Sequence, residues 1–270
     1  MRASPLPSSL SPSLPLSNWW VVSLRPCGQH QRLLRPAIAL GAEGIGLPGL
    51  RLVARAEASA RDALDTVWRC ENVIFTSPAA VRFAMRLRTA PLAGAQLLIR
   101  AFALGAATAA ALRRAGFAQV VVAARADSEG LLALPEWRTL PTTRVGLVTA
   151  PGGRGVIAAS LRARGHKLAI AEVYQRQPAR LDARHSRRVL AVGDELAVCV
   201  TSAQALTNVL AALPEAARSK LLAGVAVVSS PRLEAIAHEA GFAGTLRATG
   251  PTPRELLDAL VAHARRLRFG

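Results

Sequence analysis

The sequence predicts an α/β protein built from two similar, doubly wound domains. Three observations carry that expectation. First, the chain repeats itself at a spacing of about 125 residues. Gly41 returns as Gly165, the stretch Val73–Ala79 as Ala197–Ala203 with a Thr-Ser pair in each, Ala115-Gly116-Phe117 as Ala240-Gly241-Phe242, and Leu131-Leu132 as Leu256-Leu257. Second, short apolar runs alternate with stretches of helical period in both copies, the pattern of parallel sheets covered by helices. Third, glycines and small hydroxyl residues punctuate the junctions, as helix caps and tight strand-to-helix turns require. Two similar domains facing one another leave a cleft between them as the default place for a ligand.

The elements follow in chain order. Trp19 to Leu24 reads as a buried strand, broken by Arg25-Pro26-Cys27-Gly28. A helix from Gln29 to Leu40 ends at Gly41, with Pro36 inside it predicting a kink or a later start. Leu47 to Val53 reads as one strand. Its counterparts in the second copy are strand Val145 to Thr149, turn Ala150–Gly153, a helix from Arg154 to Arg164 ending at Gly165, and strand Leu168 to Arg176. Strand Asn72 to Phe75, turn Thr76-Ser77 and a helix from Pro78 to Leu87 match strand Leu196 to Val200, turn Thr201-Ser202 and a helix to Leu213. Strand Ile99 to Leu104, turn Gly105–Ala107, helix Thr108 to Ala115 and strand Gln119 to Val122 match Gly224 to Val228, Ser229-Ser230-Pro231, helix Arg232 to Ala240 and a strand to Arg247. Thr252-Pro253-Arg254-Glu255 fits a capping box opening the last helix, and Asp127-Ser128-Glu129 stands in the same place in the first copy.

Composition narrows the function. The chain has 270 residues, 51% of them hydrophobic, enough for two domains with cores of their own. No apolar run approaches the ~20 residues of a membrane span, so no membrane partner is expected. Cys27, Cys70 and Cys199 are odd in number and far apart, which excludes a disulfide framework and suits a reducing cytosol. His30, His166, His185, His238 and His263 are scattered, so no metal is expected. The formal charge is +17, and all but two of the 34 basic residues are Arg. Two readings compete: solvated helix faces, the favoured reading for most of these arginines, and a polyanionic partner, nucleic acid or a multi-carboxylate small molecule; charge alone does not choose between them. Basic runs with interleaved aromatics, zinc fingers and RNP-like signatures are missing, which disfavours nucleic acid. Residues 1–17 are rich in Ser, Pro and Leu and read as a disordered extension.

In doubly wound sheets ligands bind beyond the carboxyl ends of the strands. The strand-to-helix turns lie there: Arg25, Thr76-Ser77, Gly105 to Thr108, Ser128, Gly153-Arg154, Thr201-Ser202, and Ser229-Ser230 with Arg232. They offer backbone N–H groups and hydroxyls at helix N-termini, which suit anions. The Ser, Thr and Gly residues among them are also ordinary caps, and only their recurrence at turn after turn in two domains favours a ligand. Gly44–Gly49 matches G-x-G-x-x-G but follows a helix and precedes a strand, the wrong order for a dinucleotide fingerprint. Pro151–Gly155 lies correctly between strand and helix but lacks a P-loop Lys. Tyr174, the one tyrosine, is either a half-buried strand residue or a phenol able to protonate a leaving group.

Taken in order, Arg25-Pro26, Phe75–Val81, Leu104–Ala109, Gly116-Phe117, Ser128–Leu132, Gly153-Arg154, Val173–Arg176, Thr201-Ser202 and Ser229-Ser230 with Arg232 resemble the uroporphyrinogen-III synthase family over nearly the whole chain from Trp19. The resemblance implies two flavodoxin-like domains joined by a two-stranded ladder. One would hold residues 18–43 and 178–270, the other 54–167, with 44–53 and 168–177 as linker strands. It implies an enzyme that closes hydroxymethylbilane, a linear tetrapyrrole bearing an acetate and a propionate on every ring, with inversion of the last ring. Loss of the hydroxymethyl oxygen gives an azafulvene, and attack on the terminal ring gives a spiro intermediate. It implies no cofactor, and Tyr174 matches the family's tyrosine. Pro231 departs from the acid that many relatives carry. A cytoplasmic monomer is expected, because ligand release requires the domains to part. A non-catalytic module binding tetrapyrroles or other polyanions on the same fold is the alternative.

Overall fold

The computed structural model describes residues 14–88, 94–139, 141–153 and 155–269. Twelve strands occur among them: β1 (Trp20–Ser23), β2 (Glu43–Gly46), β3 (Leu50–Ala54), β4 (Asn72–Phe75), β5 (Arg100–Ala103), β6 (Gln119–Val122), β7 (Arg144–Thr149), β8 (Lys167–Glu172), β9 (Tyr174–Pro178), β10 (Leu196–Val200), β11 (Val225–Val228) and β12 (Gly244–Arg247). They form two five-stranded sheets and one two-stranded sheet.

The sheet orders are β12-β11-β10-β1-β2 and β6-β5-β4-β7-β8, and every neighbour within them is parallel. Shifting one copy onto the other by the repeat turns the first order into the second. The register follows as well: Trp20 pairs with Leu196 in one sheet and Val145 with Asn72 in the other. The first βα unit of each copy therefore completes the sheet of the other copy. The chain divides into two compact units accordingly. One takes in the described residues up to Arg51 and those from Gln177 onward, and the other runs Leu52–Arg176.

In each unit the central strand is buried along its whole length because helices cover both faces, and it is apolar apart from Asn72 at the start of β4. Along β4, Val73 and Phe75 enter one cluster and Ile74 the other. Along β10, Leu196, Val198 and Val200 enter one cluster, and Ala197 and Cys199 the other. Packing, not propensity, thus decides these runs.

Several expectations need correction. The run read as a single strand at 168–176 is divided between two sheets, and of the run read at 47–53 only Leu50 onward is strand. Leu47-Pro48-Gly49 separates β2 from β3, and Val173 separates β8 from β9. Consequently much of the expected linkers at 44–53 and 168–177 belongs to the large sheets: β2 pairs with β1 and β8 with β7. The two-stranded sheet is β3 with β9. Flanking bonds run from Arg55 N to Val173 O (3.1 Å) and from Ala179 N to Gly49 O (3.4 Å), so the strands run antiparallel. Pro36 lies inside the continuous helix Gln31–Ala39. Helices Ala58–Trp68, Ala183–Leu190 and Glu215–Leu222 were not foreseen. Of the segment expected to be disordered, residues 1–13 lie outside the described residues, but Leu16 is fully buried beside Trp19, Val21 and Leu33. One apolar side chain fitting a gap decides that outcome, and composition does not report it.

Candidate active site

Unit Leu52–Arg176 contains a cavity of about 350 Å3 at the carboxyl ends of its strands. Four turns build it. Thr76 and Ser77 follow β4, and Ser77 caps the helix Pro78–Leu87, its Oγ accepting from Ala80 N at 3.0 Å. Proline at the first helical position loses no hydrogen bond there. Ser128 opens the short helix Ser128–Leu132, whose cap is Asp127, accepting from Gly130 N at 2.7 Å. After β7 the chain passes Gly152 (φ 81°) and Gly155 (φ 69°), left-handed positions that a side chain would strain. A Cβ on Gly152, Gly153 or Gly155 would meet nothing within 4 Å, so these backbones border open space. The fourth, the junction at Val173, brings Glu172, at the end of β8, and Arg176, within β9.

Tyr174 does not line the cavity. It is 2% exposed, stacked on Phe83 with ring centroids 5.3 Å apart and planes at 16°. Its Oη lies 3.1 Å from Ser77 Oγ. The one polar atom of the ring is thus satisfied by a hydroxyl that does line the cavity, which is how a buried tyrosine keeps its phenol without penalty. Thr76 Oγ1 donates to Thr149 Oγ1 at 3.1 Å across the strand ends.

Glu172 and Arg176 were missed in the sequence. Glu172 Oε2 accepts from Arg55 Nη1, and among the described residues its other oxygen has no partner. Arg176 is exposed, its guanidinium carbon 6.0 Å from the Tyr174 ring centroid, and it has no carboxylate partner among the described residues. Both flank Tyr174 in sequence, and that proximity was the available signal.

The other expected positions are placed elsewhere. Gly105 caps the helix Ala106–Arg114, and a Cβ there would come within 2.8 Å of Ala126 Cβ. Thr108 is 3% exposed inside that helix. Neither borders the cavity. Arg154 lies outside the described residues. In the other unit, Ser202 and Ser230 cap their helices by accepting from Ala205 N (3.3 Å) and Leu233 N (3.4 Å). Thr201 and Ser229 are half-buried beside them, and Arg232 is exposed. Arg25, half-buried after β1, donates from Nη2 to Pro251 O at 3.1 Å, while its Nε is buried without a partner. Burial pushes its pKa down, with the neighbouring Cys199 opposing. Burial also pushes the Cys199 thiol up to about 12, so it stays protonated and is no nucleophile at neutral pH.

The rejected glycine motif has a packing role. A Cβ on Gly49 would overlap the backbone of Ala205, with Cα at 2.6 Å, and one on Gly46 would come within 2.8 Å of the His30 ring. Among the described residues no group of three or more His, Cys, Asp or Glu could hold a metal ion, and no helix is long and apolar enough to cross a membrane.

The chain is similar to the uroporphyrinogen-III synthase of Salmonella typhimurium, 29% identical over 243 residues that span 89% of this chain and 99% of the relative. A second relative, the uroporphyrinogen-III synthase of Escherichia coli K12, is 31% identical over 161 residues, 59% of this chain and 65% of the relative. Among solved structures, uroporphyrinogen-III synthetase of Helicobacter pylori 26695 matches with a TM-score of 0.61 at 16% identity, covering 91% of this chain and 99% of that one. A mutant uroporphyrinogen III synthase of the extremely thermophilic bacterium Thermus thermophilus matches with 0.57 at 18% identity, covering 93% and 100%. At such identities the structures speak for the fold. The family model described as "Uroporphyrinogen-III synthase HemD" matches residues 31–258, a span that runs through both units, and the chain belongs to that family.

Proposed function

We propose that this chain closes hydroxymethylbilane to uroporphyrinogen III, inverting the last pyrrole ring, as a cytoplasmic monomer that needs neither cofactor nor metal. The observation that carries the reading is the Ser77–Tyr174 pair at the wall of a cavity whose apolar lining, Leu104, Leu147, Ile157 and Ile170 among it, is interrupted by turn backbone and hydroxyls. The substrate supplies carboxylates, pyrrole N–H groups and a hydroxymethyl leaving group, and the cavity offers a group for each. Backbone N–H groups at Gly152 and Gly153 and the hydroxyl of Ser128 suit the carboxylates. Arg176 adds a planar fork for bidentate binding. The unpaired oxygen of Glu172 accepts from a pyrrole N–H, while Arg55 offsets its charge. Gly105 and Thr108 are packed away from the cavity, while Arg154 and the Arg25, Thr201, Ser202, Ser229, Ser230 and Arg232 set of the other unit remain candidates for further carboxylates. Departure of the hydroxyl as water needs a proton, and Tyr174 is its source.

Chemistry of this kind is mostly positioning. Azafulvenes form from hydroxymethylpyrroles readily, and the enzyme's task is to hold the terminal ring for attack at its substituted carbon. Freshly made hydroxymethylbilane given to the purified protein should yield the type III isomer above the spontaneous type I background. A product mixture equal to the enzyme-free control defeats the reading and leaves a binding module.

A further inference from the structure

We infer that Ser77 is the group that hands the proton to the departing hydroxyl, with Tyr174 refilling it from behind as the two ends of a relay. The inference rests on the reaction proposed above. Its ground is geometric. Ser77 lines the cavity, whereas Tyr174 is 2% exposed and reaches the cavity only through the 3.1 Å contact between Oη and Ser77 Oγ. A phenol sealed by Phe83 on one face cannot touch a substrate oxygen without leaving its packing.

The hydrogen-bond capacity of Ser77 fits the task. A serine hydroxyl has one donor and two acceptor positions. One acceptor position is filled by Ala80 N–H at 3.0 Å. If the second takes the Tyr174 O–H, the single Ser77 proton is left over and the cavity is the direction left to it. A bound hydroxymethyl oxygen in the cavity therefore fixes the order Tyr174 to Ser77 to substrate. The helix Pro78–Leu87 fixes the oxygen itself, since the cap bond holds Ser77 Oγ at one place.

The proton count closes. The C–O bond of the hydroxymethyl group breaks while Ser77 Oγ–H protonates the oxygen, which leaves as water. Ser77 takes the Tyr174 proton, and a tyrosinate remains. The pyrrole nitrogen supplies the electron pair that makes the exocyclic C=C bond of the azafulvenium. After ring closure the terminal carbon loses a proton to restore aromaticity, and the reverse relay returns a proton to Tyr174. The sum is loss of one water with no oxidant or reductant.

The test compares Ser77→Ala, Ser77→Asn, Ser77→Thr, Tyr174→Phe and the double variant Ser77→Ala/Tyr174→Phe in isomer-resolved kinetics on the full chain. Formation of the type III isomer by the unaltered protein tests the underlying reading separately, and its failure takes the relay with it. Ser77→Asn keeps the helix cap but cannot pass a proton, so it stands in should Ser77→Ala fold poorly. General acid catalysis typically contributes ~10²–10⁴-fold, and we expect about tenfold to a hundredfold here because the azafulvene also forms unaided. The single variants should lose similar amounts of kcat with KM little changed, and the double variant should be no worse than either, as expected of residues acting as a unit. Ser77→Thr should retain most of the rate. The solvent isotope effect should show two protons in flight in the unaltered protein and one or none in Tyr174→Phe. Multiplying losses in the double variant, an unaffected Ser77→Asn, or a one-proton isotope effect in the unaltered protein would overturn the relay.

Discussion

The two units share a backbone plan and differ in what they place on it. Their sheets have the same order and register, and each presents a Thr-Ser turn whose serine caps the following helix. Beside that turn, the unit Leu52–Arg176 has Tyr174 at the start of β9, its hydroxyl on Ser77. At the matching place, the start of β3, the other unit has Gly49-Leu50, with Leu50 buried and Gly49 tight against Ala205. After the first strand of each copy the contrast reverses. One unit has the glycine turn Gly152-Gly153 bordering open space, and the other has Arg25, half-buried with an unpartnered Nε. The duplication has preserved the caps and the sheet geometry while the reactive side chains diverged. On the function proposed above, proton chemistry falls to the unit with the phenol, and Arg25 is the charge that the other unit would add.

The sharpest way to break this division is to remove the phenol. Tyr174→Phe keeps the ring on Phe83, so the thermal midpoint should hold while kcat falls about tenfold to a hundredfold, the lower part of the general-acid range. An unchanged kcat would return Tyr174 to a packing role and make the units equivalent. Next in size are two glycine substitutions at the contrasted turns. Gly49→Ala should destabilise the protein by about 1–3 kcal/mol or more, because the Ala205 backbone cannot give way as a side chain can. Gly153→Ala should leave denaturant stability nearly untouched and instead raise KM, because its Cβ would enter the space where substrate carboxylates bind. Equal stability losses at the two sites would contradict the placement of the cavity.

Smaller effects sharpen the comparison. Ser202→Ala and Ser77→Ala each remove a cap and should each cost about 1 kcal/mol in chemical denaturation, but only Ser77→Ala should reduce kcat beyond its loss of folded protein. Arg176→Ala should raise KM several-fold, about the 1.4 kcal/mol that a tenfold change represents or less, and Arg176→Lys should restore part of it. The smallest effect is a pH response confined to the unit containing β1. His30, whose Nδ1 lies 3.2 Å from Ser23 Oγ, is held below its ordinary value of 6.5, chiefly by burial, with His185 and Arg25 adding to it. The folded protein therefore keeps the ring neutral while the unfolded chain protonates. Stability is full at neutral pH and declines as pH falls through the ordinary imidazole range. Thermal midpoints measured between pH 7 and 5 should fall less in His30→Gln than in the unaltered protein.

Much of this was legible in the residues because the signals were local. Strands β10 and β11 are apolar from end to end, and β4, β5 and β6 are apolar after their first residue; the box Thr252–Glu255 closes as read, with Thr252 N donating to Glu255 at 2.9 Å. What was not legible depends on distant partners. No local signal says that Glu43–Gly46 pairs with β1 while Leu50–Ala54 leaves for another sheet. Likewise Ser77 reads as an ordinary cap until Tyr174 is brought to it from 97 positions away. Gly105 and Thr108 stood at the same kind of strand-to-helix turn as Ser77, yet Ala126 and the helix interior occupy their surroundings.

The exchange of first strands sets an order on synthesis. β1 leaves the ribosome among the first elements, but its parallel neighbour β10 belongs to the last third of the chain. The unit Leu52–Arg176 has all of its sheet strands in one contiguous stretch and can close while the remainder is still being translated. Until β10 arrives, Trp20–Ser23 is an apolar strand with one neighbour of its sheet and an open edge. The nascent chain thus carries an early segment that must be shielded for the length of translation, and slowing elongation beyond Arg176 should increase its capture by chaperones that bind extended apolar peptides.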